Sequence, residues 1–294
     1  MAPRTESPWA RFRAEFAESR LAMAGLALLV VILALGILAP VISPQNPYDL
    51  AQLDVMDSRL APGEKSADGR TYWLGTDDQG RDMLSGIFYG LRISLGVGVA
   101  STVFALAIGL VFGLVAAYFG GWVDTLIMRV VDIQLSFPAI LIALILLAVL
   151  GQGVDKIVIA LVTVQWAYYA RTVRSSALVE RQKEYVEAAR VLALGQARIV
   201  FRHLLPNCLP PLIVVATVQV AHAIALEATL SFLGLGLPIT EPSLGLLISN
   251  GFQYLLSGKY WICFYPGVAL LLTIMAINLV ADQLRDILNP RLRK

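Results

Sequence analysis

The feature that most constrains this chain is a series of apolar runs too long for a soluble core. The hydrocarbon interior of a bilayer is ~30 Å thick and a helix rises ~1.5 Å per residue, so a span takes about 20 mostly apolar residues. Six segments qualify: 21–42, 93–119, 133–150, 154–170, 209–233 and 261–281. The fourth is the weakest, being short and interrupted by Gln165, and the fifth carries the polar pair His222 and Glu227. Charged residues make up only 15% of the 294-residue chain, against about 25% in soluble proteins. The sequence therefore predicts an all-α integral membrane protein of about six transmembrane helices.

The first run follows basic residues, as a signal peptide would, but it is longer than the roughly 7–15 residues of a signal core. It is read as a retained span. Placing the N-terminus in the cytoplasm and alternating leaves 16 of the 23 Lys and Arg inside, including Arg4, Arg11, Arg129, Arg171, Arg190, Arg202, Arg285, Arg291, Arg293 and Lys294. That asymmetry fits the positive-inside rule, and an even number of spans returns the basic C-terminus to the cytoplasm. The resulting organisation is a cytoplasmic segment 1–20, a first span 21–42, and an extracytoplasmic loop 43–92. A five-helix core 93–284 follows, with a cytoplasmic segment 171–207, and then a tail 285–294.

A net charge of +2 gives no electrostatic case for nucleic acid. Cys208 and Cys263 lie far apart among apolar residues and match neither a disulfide framework nor a metal site. Gly258-Lys259 is followed by Tyr260 and lacks the glycine loop of a nucleotide-binding motif, so the chain is expected to bind no ATP itself. No nucleophile–base constellation or metal-protease motif is present, which argues against a membrane enzyme. Secondary transporters use inverted repeats and ionisable groups at the midplane, and neither stands out. Gly86-x3-Gly90 and Gly109-x3-Gly113 are small-residue pairs that mark helix-packing faces.

Two segments carry more than packing. In the cytoplasmic stretch, Glu184-Tyr185-Val186-Glu187-Ala188-Ala189-Arg190 leads through Gly195 to Arg202-His203-Leu204-Leu205-Pro206-Asn207. The paired alanines leave a shallow surface for close packing by another protein. Glu187 and Arg190, three apart on a helix, are placed to pair, worth a few tenths of a kcal/mol. Outside the membrane, Gly75-Thr76-Asp77-Asp78-Gln79-Gly80-Arg81-Asp82 is acid-rich but lacks calcium-loop spacing. It is read as an internally hydrogen-bonded turn at the membrane surface. Glu227, within a span, is by default a functional candidate. Its place near Ser231, Gly234 and Gly236 also fits a role in bonding irregular backbone.

The first segment resembles the coupling loop of binding-protein-dependent ABC importer permeases. The match covers Glu187, Ala188, Ala189 and Leu205-Pro206. It departs where the family usually has Gly six residues after the Glu; here that residue is Ala193, and Gly195 follows. The second segment resembles the Leu-Gly-Thr-Asp-x-x-Gly-Arg-Asp signature of the second pore subunit in the dipeptide, oligopeptide and nickel importers. Tyr118-Phe119-Gly120-Gly121-Trp122 and Leu230-Ser231-Phe232-Leu233-Gly234 fit as well.

The resemblance implies a type I importer permease fold in a bacterial cytoplasmic membrane, with both termini cytoplasmic. It implies ATPase coupling through Glu187, Ala188, Ala189, Arg190, Gly195, His203 and Pro206. An extracytoplasmic gate or binding-protein contact would fall at Gly75, Thr76, Asp77, Gly80, Arg81 and Asp82, and His222 and Glu227 are candidates to line the pore. No metal site is expected. The implied partners are a homologous second permease subunit, two ATPase subunits holding ATP and Mg, and an extracytoplasmic solute-binding protein. The implied cargo is short peptides, or in relatives nickel chelates or glutathione.

Overall fold

A computed structural model describes residues 8–49, 52–66 and 69–288; Arg4, Arg291, Arg293 and Lys294 lie outside them. The helices in chain order are α1 (Pro8–Glu18), α2 (Arg20–Ile42), α3 (Met83–Phe119), α4 (Gly121–Ser136), α5 (Ala139–Leu150), α6 (Val154–Arg181), α7 (Glu184–Val191), α8 (Gln196–Arg198), α9 (Leu205–Phe232), α10 (Leu244–Phe252) and α11 (Trp261–Leu288). Among the described residues there is no β-sheet, only two isolated bridges in the outer loop.

Among the described residues, four helical stretches are long and apolar enough to cross a membrane: α2, α3, Gln196–Phe232 and α11. The pair α4 and α5 makes a fifth if counted as one span, but it is bent by 90°. The uniform third span expected at 133–150 is therefore broken, and its first residues belong to α4. The cause is local. Pro138 has no N–H to donate, and proline disfavours helical geometry in the residue before it; Phe137 is accordingly extended (φ −93°, ψ 144°). The weak fourth segment is part of α6, whose 28 residues are long enough to cross. Its C-terminal half is too polar for it to pass on composition, and residues 171–181 continue this helix where the sequence suggested a separate segment.

Two other boundaries move. Helix α3 begins at Met83, inside the expected outer loop, because the Asp82 carboxylate accepts from the Ser85 amide at 2.9 Å and caps the helix. Helix α11 runs on to Leu288. Helix α1 folds back, and Phe16 and Ala22 pack with Ile287.

Small residues let the helices approach. A Cβ on Gly109 would sit 2.4 Å from the Tyr169 Cβ, and one on Gly113 2.6 Å from the Ala170 carbonyl oxygen. The pair that marks a face in the sequence thus seats α3 on α6. Gly86 and Gly90 face Leu247 and Leu244 of α10. Gly25 brings α2 against Leu279 of α11. Lipid supplies no hydrophobic drive between helices, so this close packing carries much of the association.

Candidate functional site

Helix α7 stands at one end of the bundle, between α6 and α9, tied to its neighbours on both sides. Tyr185 donates its hydroxyl to Glu180 Oε2 at 2.7 Å, and Asn207 Nδ2 donates to the Tyr185 oxygen at 3.1 Å and to the His203 carbonyl at 2.7 Å. One phenol therefore joins the ends of α6 and α9 through α7. Desolvation and the adjacent Glu180 carboxylate push the Tyr185 phenol up to about 12. Arg181 donates to the Ala117 carbonyl at the end of α3 (2.9 Å). Val186 and Ala189 are buried with Ile199 and Leu204, against Tyr118.

Among the coupling candidates, Ala189 packs inward, while Glu187, Ala188 and Arg190 face out of the chain. Val191 and Leu192 beside them are 86% and 72% exposed. The expected Glu187–Arg190 pair is absent: among the described residues neither side chain makes an ion pair. Both lie on open surface, where such a pair offers too little to hold two long side chains in place. The turn after α7 answers the question left by the sequence. Ala193 is left-handed (φ 54°), whereas Gly195 has φ −57° and caps α8. The turn therefore falls at the family's usual position even without its glycine. Beyond it, Ile199–Leu204 forms a π-helical turn, and α9 contains Pro206, Pro210 and Pro211. Each proline removes a backbone donor, so the inner end of α9 is weakly bonded.

The outer candidates turn inward. Gly75, Thr76, Asp77, Gly80, Arg81 and Asp82 are all buried. Arg81 Nε donates to Asp77 Oδ2 at 2.7 Å, and Arg81 Nη1 reaches the Ile239 carbonyl at 3.1 Å. Thr76 donates to the Asp57 carbonyl and accepts from the Leu60 amide. Gly75 and Gly80 have φ of 77° and 78°, and a Cβ on Gly80 would lie 2.1 Å from the Asp54 carbonyl oxygen. Their polar side chains are turned into the loop, where Arg81 Nη2 alone among them is left without a hydrogen bond. They form the internal frame of the outer loop and fasten it to the loop after α9. Gln45, Asp54 and Asp57, which share this frame, were not singled out in the sequence; their polar type in a loop carries no distinguishing signal.

The two candidates within the membrane diverge. Glu227 is fully buried, accepting from Ser94 of α3 at 2.9 Å and Ser231 at 2.8 Å, with Ser243 alongside. Its carboxylate ties α3, α9 and the approach to α10 together and reaches no open wall of the bundle. His222 is exposed and lines a cavity of about 550 Å³ between α5, α6 and α9, with Gln165, Tyr168 and Gln219. A second cavity of about 770 Å³, nearer α7, is lined by the same two long helices through Thr172, Ser175 and Asn207. Sequence reasoning noted Gln165 only as an interruption. The spacing Gln165, Tyr168, Thr172, Ser175 places four polar groups on one face of α6 and was the available signal.

Residues 109–294 match the family described as binding-protein-dependent transport system inner membrane component, and residues 7–62 match the N-terminal TM domain of oligopeptide transport permease C. The chain is 36% identical over 290 residues to the dipeptide transport system permease protein DppC of Bacillus subtilis, covering 99% of this chain and 87% of that protein. It is 36% identical over 288 residues to the di/tripeptide transport system permease protein DppC of Pseudomonas aeruginosa, covering 98% and 93%. In fold it is similar to the MetNI methionine ABC transporter in an inward-facing conformation (TM-score 0.57, 23% identity, 70% of this chain and 97% of that one). A similar likeness holds to an amino acid ABC transporter solved with histidines (TM-score 0.52, 14% identity, 67% and 91%).

Proposed function

Given that the chain belongs to the binding-protein-dependent transport system inner membrane components, we propose that it forms one half of the pore of an ATP-driven importer of short peptides. It pairs with a homologous second permease subunit. Two ATPase subunits bind ATP and Mg on the cytoplasmic side, where both termini lie, and an extracytoplasmic binding protein delivers the peptide. The chain itself performs no chemistry and sits in a bacterial cytoplasmic membrane.

The observation that carries this reading is the placement of α7. It presents Glu187, Ala188, Arg190 and two exposed apolar residues outward, while its inner face is packed on Tyr118, Ile199 and Leu204. Such a helix suits a groove on a soluble partner. Its ties to α6 and α9 transmit displacement to the helices that line both cavities. Closure of the ATPases on ATP moves α7, the α6–α9 wall shifts, and the cavity exchanges access between the two sides. Selectivity rests mainly with the binding protein, since the spans hold few charges.

The test is Ala188→Trp in the assembled transporter. The bulky side chain is expected to reduce peptide uptake severely, with nucleotide binding by the ATPases unaffected. Undiminished uptake would remove the coupling role from α7. Labelling of Ala188→Cys by an impermeant thiol reagent only from the extracytoplasmic side would reverse the orientation.

A further inference from the structure

The mid-membrane cavity contains a polar group with nothing to bond. Gln165 is 3% exposed, and its Oε1 is buried without a hydrogen-bond partner. It lines the cavity of about 550 Å³ opposite Gln219 and His222, with Tyr168 and Thr229 completing the polar wall. That volume lies in the range of small-molecule pockets, about 300–1,000 Å³. An unsatisfied amide at membrane depth costs several kcal/mol. A group of this kind is kept where a water-filled cavity or a ligand meets it.

We propose that Gln165 and Gln219, facing each other across the α6–α9 cavity, form a subsite for the peptide group of the transported solute. A glutamine side chain presents one carbonyl acceptor and two N–H donors, the complement of a peptide N–H and C=O. Neither glutamine carries charge, and no Asp, Glu, Lys or Arg lines this cavity. The site therefore reads the backbone of a peptide rather than its termini or charged side chains. It holds each peptide weakly, as passage requires. Below it, Thr172, Ser175 and Asn207 continue neutral hydrogen-bonding groups into the inner cavity, and charge appears only there, at Glu180 and Arg285. The cavity is apolar otherwise, with Ile140, Val164 and Leu226 in its wall. A dipeptide of alanine, compact and uncharged in its side chains, suits it.

This inference rests on the peptide-import reading, and the experiment separates the two. The complete transporter with its binding protein is placed in proteoliposomes. ATP-driven uptake is compared for labelled dialanine and for the same dipeptide methylated at the peptide nitrogen, which has lost its N–H. Wild type is expected to prefer dialanine. Gln165→Leu is expected to reduce that preference about tenfold, while Gln165→Asn, which keeps the amide, retains it. The binding protein is the same in every sample, so its own selectivity cancels. Gln219→Leu, at a half-exposed position, shifts the preference in the same direction and decides the matter if Gln165→Leu does not assemble. An unaltered preference in Gln219→Leu and in an assembled Gln165→Leu overturns the subsite. Absence of dialanine uptake by the wild-type transporter overturns the peptide reading beneath it.

Discussion

The amide of Leu194 donates back to the carbonyl of Ala189 at 3.1 Å, closing the end of α7 across a left-handed Ala193. With the bond from Ala193 to Arg190 (2.9 Å), this is the paired hydrogen-bond pattern that ends many helices, and its left-handed position is normally glycine. An L side chain there costs about 1–2 kcal/mol in backbone energy. Ala193→Gly is expected to stabilise the end of α7 by about 1 kcal/mol, after the glycine's own entropy is subtracted. Slower amide hydrogen exchange over α7 would register it; faster exchange would contradict the strain at this position.

Asp77 and Arg81 form an ion pair with 1% and 2% side-chain exposure. Asp77→Ala removes an acceptor that also binds the Gln79 and Arg81 amides and leaves the guanidinium buried without its carboxylate. Breaking such a pair costs about 3–5 kcal/mol. The expected outcome is early proteolysis of the outer loop between residues 43 and 82. Cleavage resistance equal to wild type would mean the pair contributes little to holding the loop.

Gly109→Ala forces a methyl to within 2.4 Å of Tyr169 Cβ at the α3–α6 contact, whereas a Cβ on Gly96 of the same helix meets nothing within 4 Å. Overpacking at the first position is expected to cost about 1–3 kcal/mol. Gly96→Ala is expected to be neutral or to stabilise by up to about 1 kcal/mol through helix propensity. Thermal unfolding in detergent distinguishes them; equal melting temperatures would show that α3 and α6 separate without penalty.

Burial and the hydrogen bond from Tyr72 to Asp57 (2.8 Å) push the Tyr72 phenol up to about 12, above the value near 10 of an unfolded tyrosine. The stabilisation is complete below pH ~10 and is lost as pH rises through the folded value, because the unfolded chain releases its proton first. Loosening of the outer loop is expected between about pH 10 and 12. Tyr72→Phe should flatten that segment of the profile while lowering stability at neutral pH. An unchanged alkaline profile in the variant would assign the transition to another group.

Much of the architecture was legible as runs of hydrophobicity, because a helix in lipid must satisfy its own backbone and shield it with apolar side chains over a fixed thickness. The 133–150 run misled because hydropathy is blind to direction: Pro138 bends the chain without interrupting the apolar count. The Gly75–Asp82 segment was legible as an internally hydrogen-bonded turn, and its bonds are of that kind. The partners that enclose it, Asp57, Leu60, Ile239 and Trp261, are distant in sequence and became visible only in the fold. Glu227 was legible as unusual, yet its three serine neighbours come from three places in the chain.

What the sequence determined alone is the class of molecule and the position of the helix proposed to couple, since both depend on local quantities: length of apolar run, placement of Lys and Arg, and a short motif between two spans. What the tertiary structure decided is which polar groups are spent on the fold and which remain open. Burial and hydrogen bonding depend on residues distant in sequence, so both Glu227 oxygens are satisfied within the protein while the Gln165 carbonyl oxygen is not. That difference arises only when α3, α6 and α9 pack against one another.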